Sequence, residues 1–174
     1  MSNIEIEDLW LDSLAQEMSD MNHAAFGYKT LRNLSRYETQ RRMKSVDYQA
    51  CGAFINGRLQ GFLFIVYHPK EFLESPDELY IQDFSVWPWA QGKGIGSALL
   101  NHVLNTVGKD RPIYLTVERN NKAVRLYRKF GFVEVEAPTL IRGNSYIAMR
   151  LGRSHGKSSR KFGTEDSETL AKAC

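Results

Sequence analysis

The sequence predicts an α/β domain in which a mixed sheet is flanked by helices, and three observations carry that expectation. Two β-rich runs, Gln49 to Ile55 and Arg58 to Tyr67, meet at Asn56-Gly57, the dipeptide that supplies the positive φ angles of a tight hairpin turn. An apolar run, Leu79 to Val86, passes through a glycine-rich link into an amphipathic stretch, Gly94 to Val107. A second pair of this kind follows, Ile113 to Val117 and then Asn120 to Phe130, and strands alternating with helical patterns mark an α/β architecture.

In chain order, Ile4 and Ile6 alternate with acids and predict a short first strand. Leu9, Leu11, Leu14, Ala15, Met18 and Met21 then recur at helical spacing. A second helix is predicted over Leu31 to Met43, with Leu31, Leu34 and Tyr37 on its apolar side and the basic residues opposite. After the hairpin, 69–76 reads as a loop between two prolines. The Gly94 to Val107 helix rests on Ile95, Ala98, Leu99, Val103 and Leu104 and stops at Gly108. Asn120 to Phe130 is closed by Gly131 in the C-cap place, and Phe132 to Val135 and Tyr146 to Leu151 give two final strands. From Gly152 the chain turns to Ser, Gly, Lys and Arg, so the division expected is a domain over 1–151 and a mobile polar tail over 152–174.

A length of 174 residues suits one domain, and 43% apolar with 25% charged residues is ordinary globular composition. The net charge of +3 gives no case for nucleic acid. Its placement says more: Lys29, Arg32, Arg36, Arg41, Arg42 and Lys44 face a single Glu38 over 29–44, and Arg119, Lys122, Arg125, Arg128 and Lys129 stand without an acid over 119–129. A basic face suits a ligand that bears phosphates. Between them Glu71, Glu74, Asp77, Glu78 and Asp83 could draw in a cationic amine, or be solvated loop charges. Cys51 and Cys174 make no disulfide framework, and His23, His68, His102 and His155 have no metal spacing. An acidic start at Glu5, Glu7 and Asp8 is unlike a signal peptide, and the longest apolar run, Phe62 to Tyr67, is far short of the ~20 residues of a membrane span. The expectation is a cytoplasmic protein that uses no metal and no membrane.

The most informative run is Val86-Trp-Pro-Trp-Ala-Gln-Gly-Lys-Gly-Ile-Gly-Ser97. Glycines at alternate places between a strand and a helix let the backbone approach a ligand, and the free N–H groups of a helix's first turn attract anions. Gln91, Gly92, Lys93, Gly94, Ile95, Gly96 and Ser97 are therefore candidate phosphate-binding residues. The run fits neither the dinucleotide fingerprint, because Ser97 stands where a third glycine is needed, nor a Walker A loop. It does fit Gln-x-x-Gly-x-Gly. Downstream lies a second block, Leu115-Thr-Val-Glu-Arg-Asn120-Asn-Lys-Ala123-Val-Arg-Leu126-Tyr127-Arg-Lys-Phe-Gly131-Phe132.

The first block resembles the acyl-CoA pyrophosphate loop of the GCN5-related N-acetyltransferase (GNAT) superfamily, and the second its Asn-x-x-Ala-x-x-x-Tyr-x-x-x-Gly-Phe helix. The resemblance covers about residues 50 to 150. It implies a mixed, mostly antiparallel sheet whose central strands splay, with acetyl-CoA as cosubstrate and an amine as acceptor. It further implies that backbone groups at Phe84, Ser85 and Val86 bind the pantetheine arm and polarise the thioester carbonyl, and that Asn120 hydrogen-bonds the same arm. Tyr127 takes the place of a tyrosine that protonates the departing thiolate. The first two helices would shape the acceptor pocket, and a homodimer is a common outcome of such folds. Plainer roles stand beside these: core packing for Phe84, Val86 and Tyr127, a helix N-cap for Asn120, and packing under the loop for Trp87 and Trp89 rather than stacking on a cofactor.

No general base emerges from the sequence. The places reached by period-two alternation hold Tyr80 and Gln82, and Asp83 should point to the other face unless a bulge intervenes. Thr116 stands where ribosomal-protein acetylating relatives carry Glu, and Glu118 lies nearby. A water relay or an acceptor of low pKa would serve equally. The reading is thus an acetyl-CoA-dependent N-acetyltransferase acting on a small amine. A protein amine is the alternative acceptor. Its rivals are a noncatalytic acyl-CoA-binding sensor or partner module and, further off, a nucleic-acid-binding protein marked by salt-dependent affinity.

Overall fold

A computed structural model describes residues 3–9, 12–26, 35–45, 47–67, 78–136 and 145–152. Seven strands form one sheet: β1 (Glu5–Asp8), β2 (Tyr48–Ile55), β3 (Arg58–Tyr67), β4 (Leu79–Val86), β5 (Ile113–Glu118), β6 (Val133–Val135) and β7 (Tyr146–Leu151). They lie in the order β1-β2-β3-β4-β5-β7-β6. Every neighbouring pair is antiparallel except β4 with β5. Among the described residues four α-helices flank it, α1 (Ala15–Phe26), α2 (Arg36–Met43), α3 (Ile95–Asn105) and α4 (Ala123–Lys129). The sheet is mixed and mostly antiparallel, as expected.

Each face of the sheet has its own core. Leu63, Ile65, Leu79, Ile81, Ile113 and Leu115 pack with Leu99, Leu100 and Val103 of α3 and Val124 and Tyr127 of α4. On the other face Phe62 and Phe64 meet Met18 and Met21 of α1. The hairpin turns at Asn56 and Gly57 with φ of 51° and 70°, the left-handed angles that its sequence predicts.

Several boundaries move for identifiable reasons. Leu9 still belongs to the sheet, its N–H donating to Ala50 at 2.8 Å, so the first helix starts six residues later and runs on to Phe26. The second helix starts at Arg36 behind the side-chain cap of Ser35, whose hydroxyl accepts from Glu38 N–H at 3.1 Å. Tyr37, expected on its apolar side, is 75% exposed, while Arg42, expected on the solvent side, turns toward the sheet. α4 starts at Ala123 because Asn121, not Asn120, accepts the Ala123 N–H at 2.8 Å. It ends at Gly131, φ 88°, with Phe132 N–H returning to Tyr127 O at 3.1 Å. Lys29, Leu31, Arg32, Leu34, the 69–76 loop, Asp77, His68, His155 and the tail from 153 lie outside the described residues.

The register of β4 positions the site. Phe64 pairs with Asp83 and Ile65 with Ile81, so Gln82 is an extra residue in a bulge. A bulge reverses the alternation: Leu79 and Ile81 face α3 and α4 before it, and Phe84 and Val86 do so after it. Asp83 is thereby brought to the face of Tyr80, toward α1 and α2. Among the described residues no helix is long and apolar enough to cross a membrane.

Candidate active site

Pairing between β4 and β5 covers only Leu79–Ile81 against Ile113–Leu115. Beyond it both strands continue without pairing with each other, β4 to Val86 and β5 to Glu118, so the backbone groups on their facing edges are left outside that ladder. A cavity of about 970 Å³ fills the gap. Its wall draws on both faces of the sheet: Phe84, Val86, Leu126 and Tyr127 from one, Asp83, Thr116, Glu118 and Tyr146 from the other, with Asn22 and Phe26 of α1.

One end of the cavity is the glycine-rich link. Gly92 and Gly94 have φ of 78° and 85°, and a Cβ on either would meet nothing within 4 Å. The positive φ angles favour glycine, and both glycines line the cavity. The first intrahelical bond of α3 is Ala98 N–H to Gly94 O at 2.9 Å, so the amides of Ile95, Gly96 and Ser97 come before it and are not used by the helix. Gly96 serves packing as well: a Cβ there would lie 3.2 Å from Leu126 and 3.4 Å from Phe84. The Gln91 amide donates to Val86 O at 3.3 Å and ties the link to the end of β4. Ile95 is buried and offers only its backbone, whereas Lys93 is exposed. Trp87 and Trp89 stack at 4.4 Å, and Trp87 packs into both cores, while neither forms part of the cavity wall.

Tyr127 is buried where the strands part, its ring 6.2 Å from Phe84 and 5.7 Å from Phe132. Burial, helped by the nearby Tyr80, raises its pKa well above the usual tyrosine range, so the phenol keeps its proton at neutral pH. Tyr80 and Thr116 share a hydrogen bond of 2.7 Å between hydroxyls. Ser85 is buried on the α1 side, and its hydroxyl has no partner among the described residues. Asn120 is exposed and stands off the cavity wall, which Asn121 joins instead.

The two carboxylates on the α1 side of the cavity differ in their surroundings. Asp83, 8% exposed, is ion-paired with Arg42, which Glu38 holds from behind at 2.9 Å. Arg41 donates twice to the same Glu38, at 2.7 and 2.8 Å. The Arg41 hydrogen bonds, with those of Arg42, lower the Glu38 pKa to about 2 despite some desolvation. Glu118 is exposed at the cavity and makes no ion pair among the described residues. Cys51 is buried, and burial pushes its thiol up to about 12, which removes it as a nucleophile. Strand alternation alone places Asp83 on the opposite face, the bulge brings it round, and nothing in the sequence marks Arg42 or Asn22 as neighbours of the site. Nothing in Leu-Tyr-Ile-Gln-Asp-Phe-Ser-Val signals a bulge; the β3–β4 register reveals it, and the buried pairing of Asp83 with Arg42 is its consequence.

A glycine-rich turn at a helix N-terminus is joined through splayed strands to a cavity that reaches the opposite sheet face, the arrangement expected from the resemblance seen in the sequence. Comparison with known proteins agrees: residues 14–152 match the model of the acetyltransferase (GNAT) domain, and the chain belongs to that family. It is 30% identical over 90 residues to the spermine/spermidine N(1)-acetyltransferase of Bacillus subtilis, a match that spans 49% of this chain and 59% of that one. A GCN5-like protein acetyltransferase of Mycobacterium tuberculosis is 32% identical over 77 residues, 42% of this chain and 37% of the relative. Among solved structures, the ribosomal-protein-S18-alanine N-acetyltransferase of Escherichia coli superposes with a TM-score of 0.69 at 21% identity, over 92% of this chain and 100% of that one. The PaiA N-acetyltransferase of Thermoplasma acidophilum in complex with coenzyme A gives 0.68 at 18% identity, over 85% and 98%. These two show the fold.

Proposed function

We propose that this protein is an acetyl-CoA-dependent N-acetyltransferase whose acceptor is a small amine. The observation that carries the reading is the cavity that passes through the sheet, because it joins an anion cradle on one face to carboxylates on the other. The residues fit acetyl-CoA. The backbone amides from Gln91 to Ser97 and the charge of Lys93 would hold its pyrophosphate, and the backbone groups that Phe84, Ser85 and Val86 turn away from β3 its pantetheine arm. Asn120 or its neighbour Asn121 would bind that arm at the start of α4. When bound, acetyl-CoA supplies a thioester whose carbonyl carbon is open to attack by an uncharged amine.

The chain's own groups do the rest. The splay sets acceptor and acyl group in line, which is the main requirement for direct transfer. Unpaired N–H groups of β4 polarise the carbonyl. Tyr127 holds a proton for the leaving sulfur, kept in place by burial. Glu118, the cavity carboxylate without an ion pair among the described residues, takes the ammonium proton directly or through water. The small-amine acceptor rests on the likeness to the Bacillus subtilis polyamine enzyme; the Mycobacterium tuberculosis relative, a protein acetyltransferase, supports a protein amine as the second reading. The two-cysteine sequence suits a reducing cytoplasm.

The test is the melting temperature with millimolar acetyl-CoA against NADPH and ATP as phosphate-bearing controls, followed by amine-dependent thiol release. A ligand at about 100 times its Kd adds ~2.7 kcal/mol of stability. A shift selective for acetyl-CoA with acceptor-dependent release supports the enzyme. A shift without release favours the noncatalytic acyl-CoA sensor, and no selective shift overturns the reading.

A further inference from the structure

Asn22 interrupts the sheet-facing stripe of α1. Met18 and Met21 on that stripe are fully buried against Phe62 and Phe64. One turn on, Ala25 and Phe26 line the cavity together with Asn22, the spacing that puts all three on one side of the helix. Asparagine is a poor choice for a helix interior. Asn22 is nevertheless 1% exposed, and its Oδ1 has no hydrogen-bond partner among the described residues. Native folds leave few buried polar atoms unpaired, and an exception on the wall of a ligand cavity calls for a ligand. An amide oxygen can be satisfied only by a donor. The same wall adds the carboxylate of Glu118, which makes no ion pair among the described residues and favours a donor that carries positive charge.

We propose that Asn22 anchors the acceptor, its Oδ1 accepting an N–H from a protonated alkylamine nitrogen at the α1 end of the cavity. This rests on the reading of the protein as an N-acetyltransferase. For an acceptor with several nitrogens, one cationic nitrogen sits at Asn22 while another, deprotonated, reaches the gap between β4 and β5. Proton loss from that second nitrogen to Glu118 or water precedes its attack.

Spermidine and n-butylamine are the probes and 1-butanol the uncharged control, used with the full chain as wild type, Asn22→Leu and Asn22→Asp. Expected for Asn22→Leu is an amine KM raised at least about tenfold, with the acetyl-CoA dissociation constant within about twofold of wild type. Asn22→Asp, which keeps an oxygen acceptor, stays within about threefold of the wild-type KM, a rescue that a purely structural role would not give. Should Asn22→Leu fail to fold, Asn22→Ala is read by the same criteria. An Asn22→Leu enzyme with unchanged amine KM overturns the assignment, and so does a wild type that binds acetyl-CoA but neither turns over nor is thermally stabilised by any amine of the series. Failure to bind acetyl-CoA strikes the enzyme reading instead; amine stabilisation of the wild type that disappears in Asn22→Leu would then still support the anchor.

Discussion

The α3 end of the cavity is bounded by a glycine-rich turn and helix-start amides, and the α1 end by polar side chains from α1, β4 and β5. At the first end, Gly92 and Gly94 hold left-handed angles, the first-turn amides of α3 are free of the helix ladder, and β4 has left its partner. At the second, Asn22, Asp83 and Glu118 present functional groups whose placement depends on a bulge, a buried ion pair and a helix face. Backbone recognition suits the invariant parts of a cosubstrate, since amides cannot be exchanged by point mutation. Side-chain recognition can be altered one residue at a time, which suits an end that selects the acceptor.

Substitutions at the two ends should therefore fail in different ways. The largest effect is expected at the backbone end. Gly94→Trp forces a side chain into a left-handed position and fills the open side of the cradle. Acetyl-CoA affinity should fall by more than about a hundredfold, or ~2.7 kcal/mol, with the fold intact by circular dichroism. Isothermal titration checks this, and near-normal affinity would show that the cradle does not hold the pyrophosphate. Next comes Arg42→Met, which removes the guanidinium ion-paired with the buried Asp83 carboxylate, a change of the kind that costs about 3–5 kcal/mol. Because the pair lies at the acceptor end, chemical denaturation should report that loss while acetyl-CoA affinity per folded molecule is unchanged. Asp83→Asn in the Arg42→Met background should restore part of it by removing the stranded charge.

Tyr127→Phe lies between the two ends. Loss of the proton donor should lower kcat by about 10²-fold, the lower range for general acid catalysis, with both binding constants close to wild type. Equal turnover would remove Tyr127 from the chemistry and leave it as a packing residue against Phe84 and Phe132.

The same contrast explains what could be read from the sequence. The cradle was legible because its physics is local: positive φ angles demand glycine, and a helix start exposes amides whatever lies around it. The hairpin at Asn56-Gly57 and the bounds of β4 and β7 were legible for the same reason. The acceptor end was not, because it depends on long-range pairing. A single extra residue at Gln82 turns Asp83 to the other face, and the partner that holds it, Arg42, is 41 positions away in sequence. Arg42 looked like one of several surface cations on a basic helix. Asn120 and Asn121 show the limit at its smallest: motif spacing favours the first, while the helix cap and the cavity wall use the second.

The smallest expected effect separates the clamp behind Asp83 from the pocket itself. Glu38 accepts from both Arg41 and Arg42, and those bonds hold its folded-state pKa at about 2, below its value in the unfolded chain. Protonation is therefore resisted by the fold: the stabilisation is fully present above the usual glutamate range and is lost as pH falls through it toward 2. With Glu38 partly exposed, the contribution belongs to the 0.2–1 kcal/mol of surface pairs. Glu38→Gln should lower the melting temperature slightly at pH 7, with the difference shrinking as pH falls toward 2 and gone only below it, where the native carboxylate is itself protonated. Acetyl-CoA affinity should not change at any pH at which both proteins are folded, because Glu38 acts only through Arg42 on the acceptor side. A parallel loss of acetyl-CoA binding in Glu38→Gln would mean that the two ends are coupled through β4, and the division between backbone and side-chain recognition would have to be drawn elsewhere.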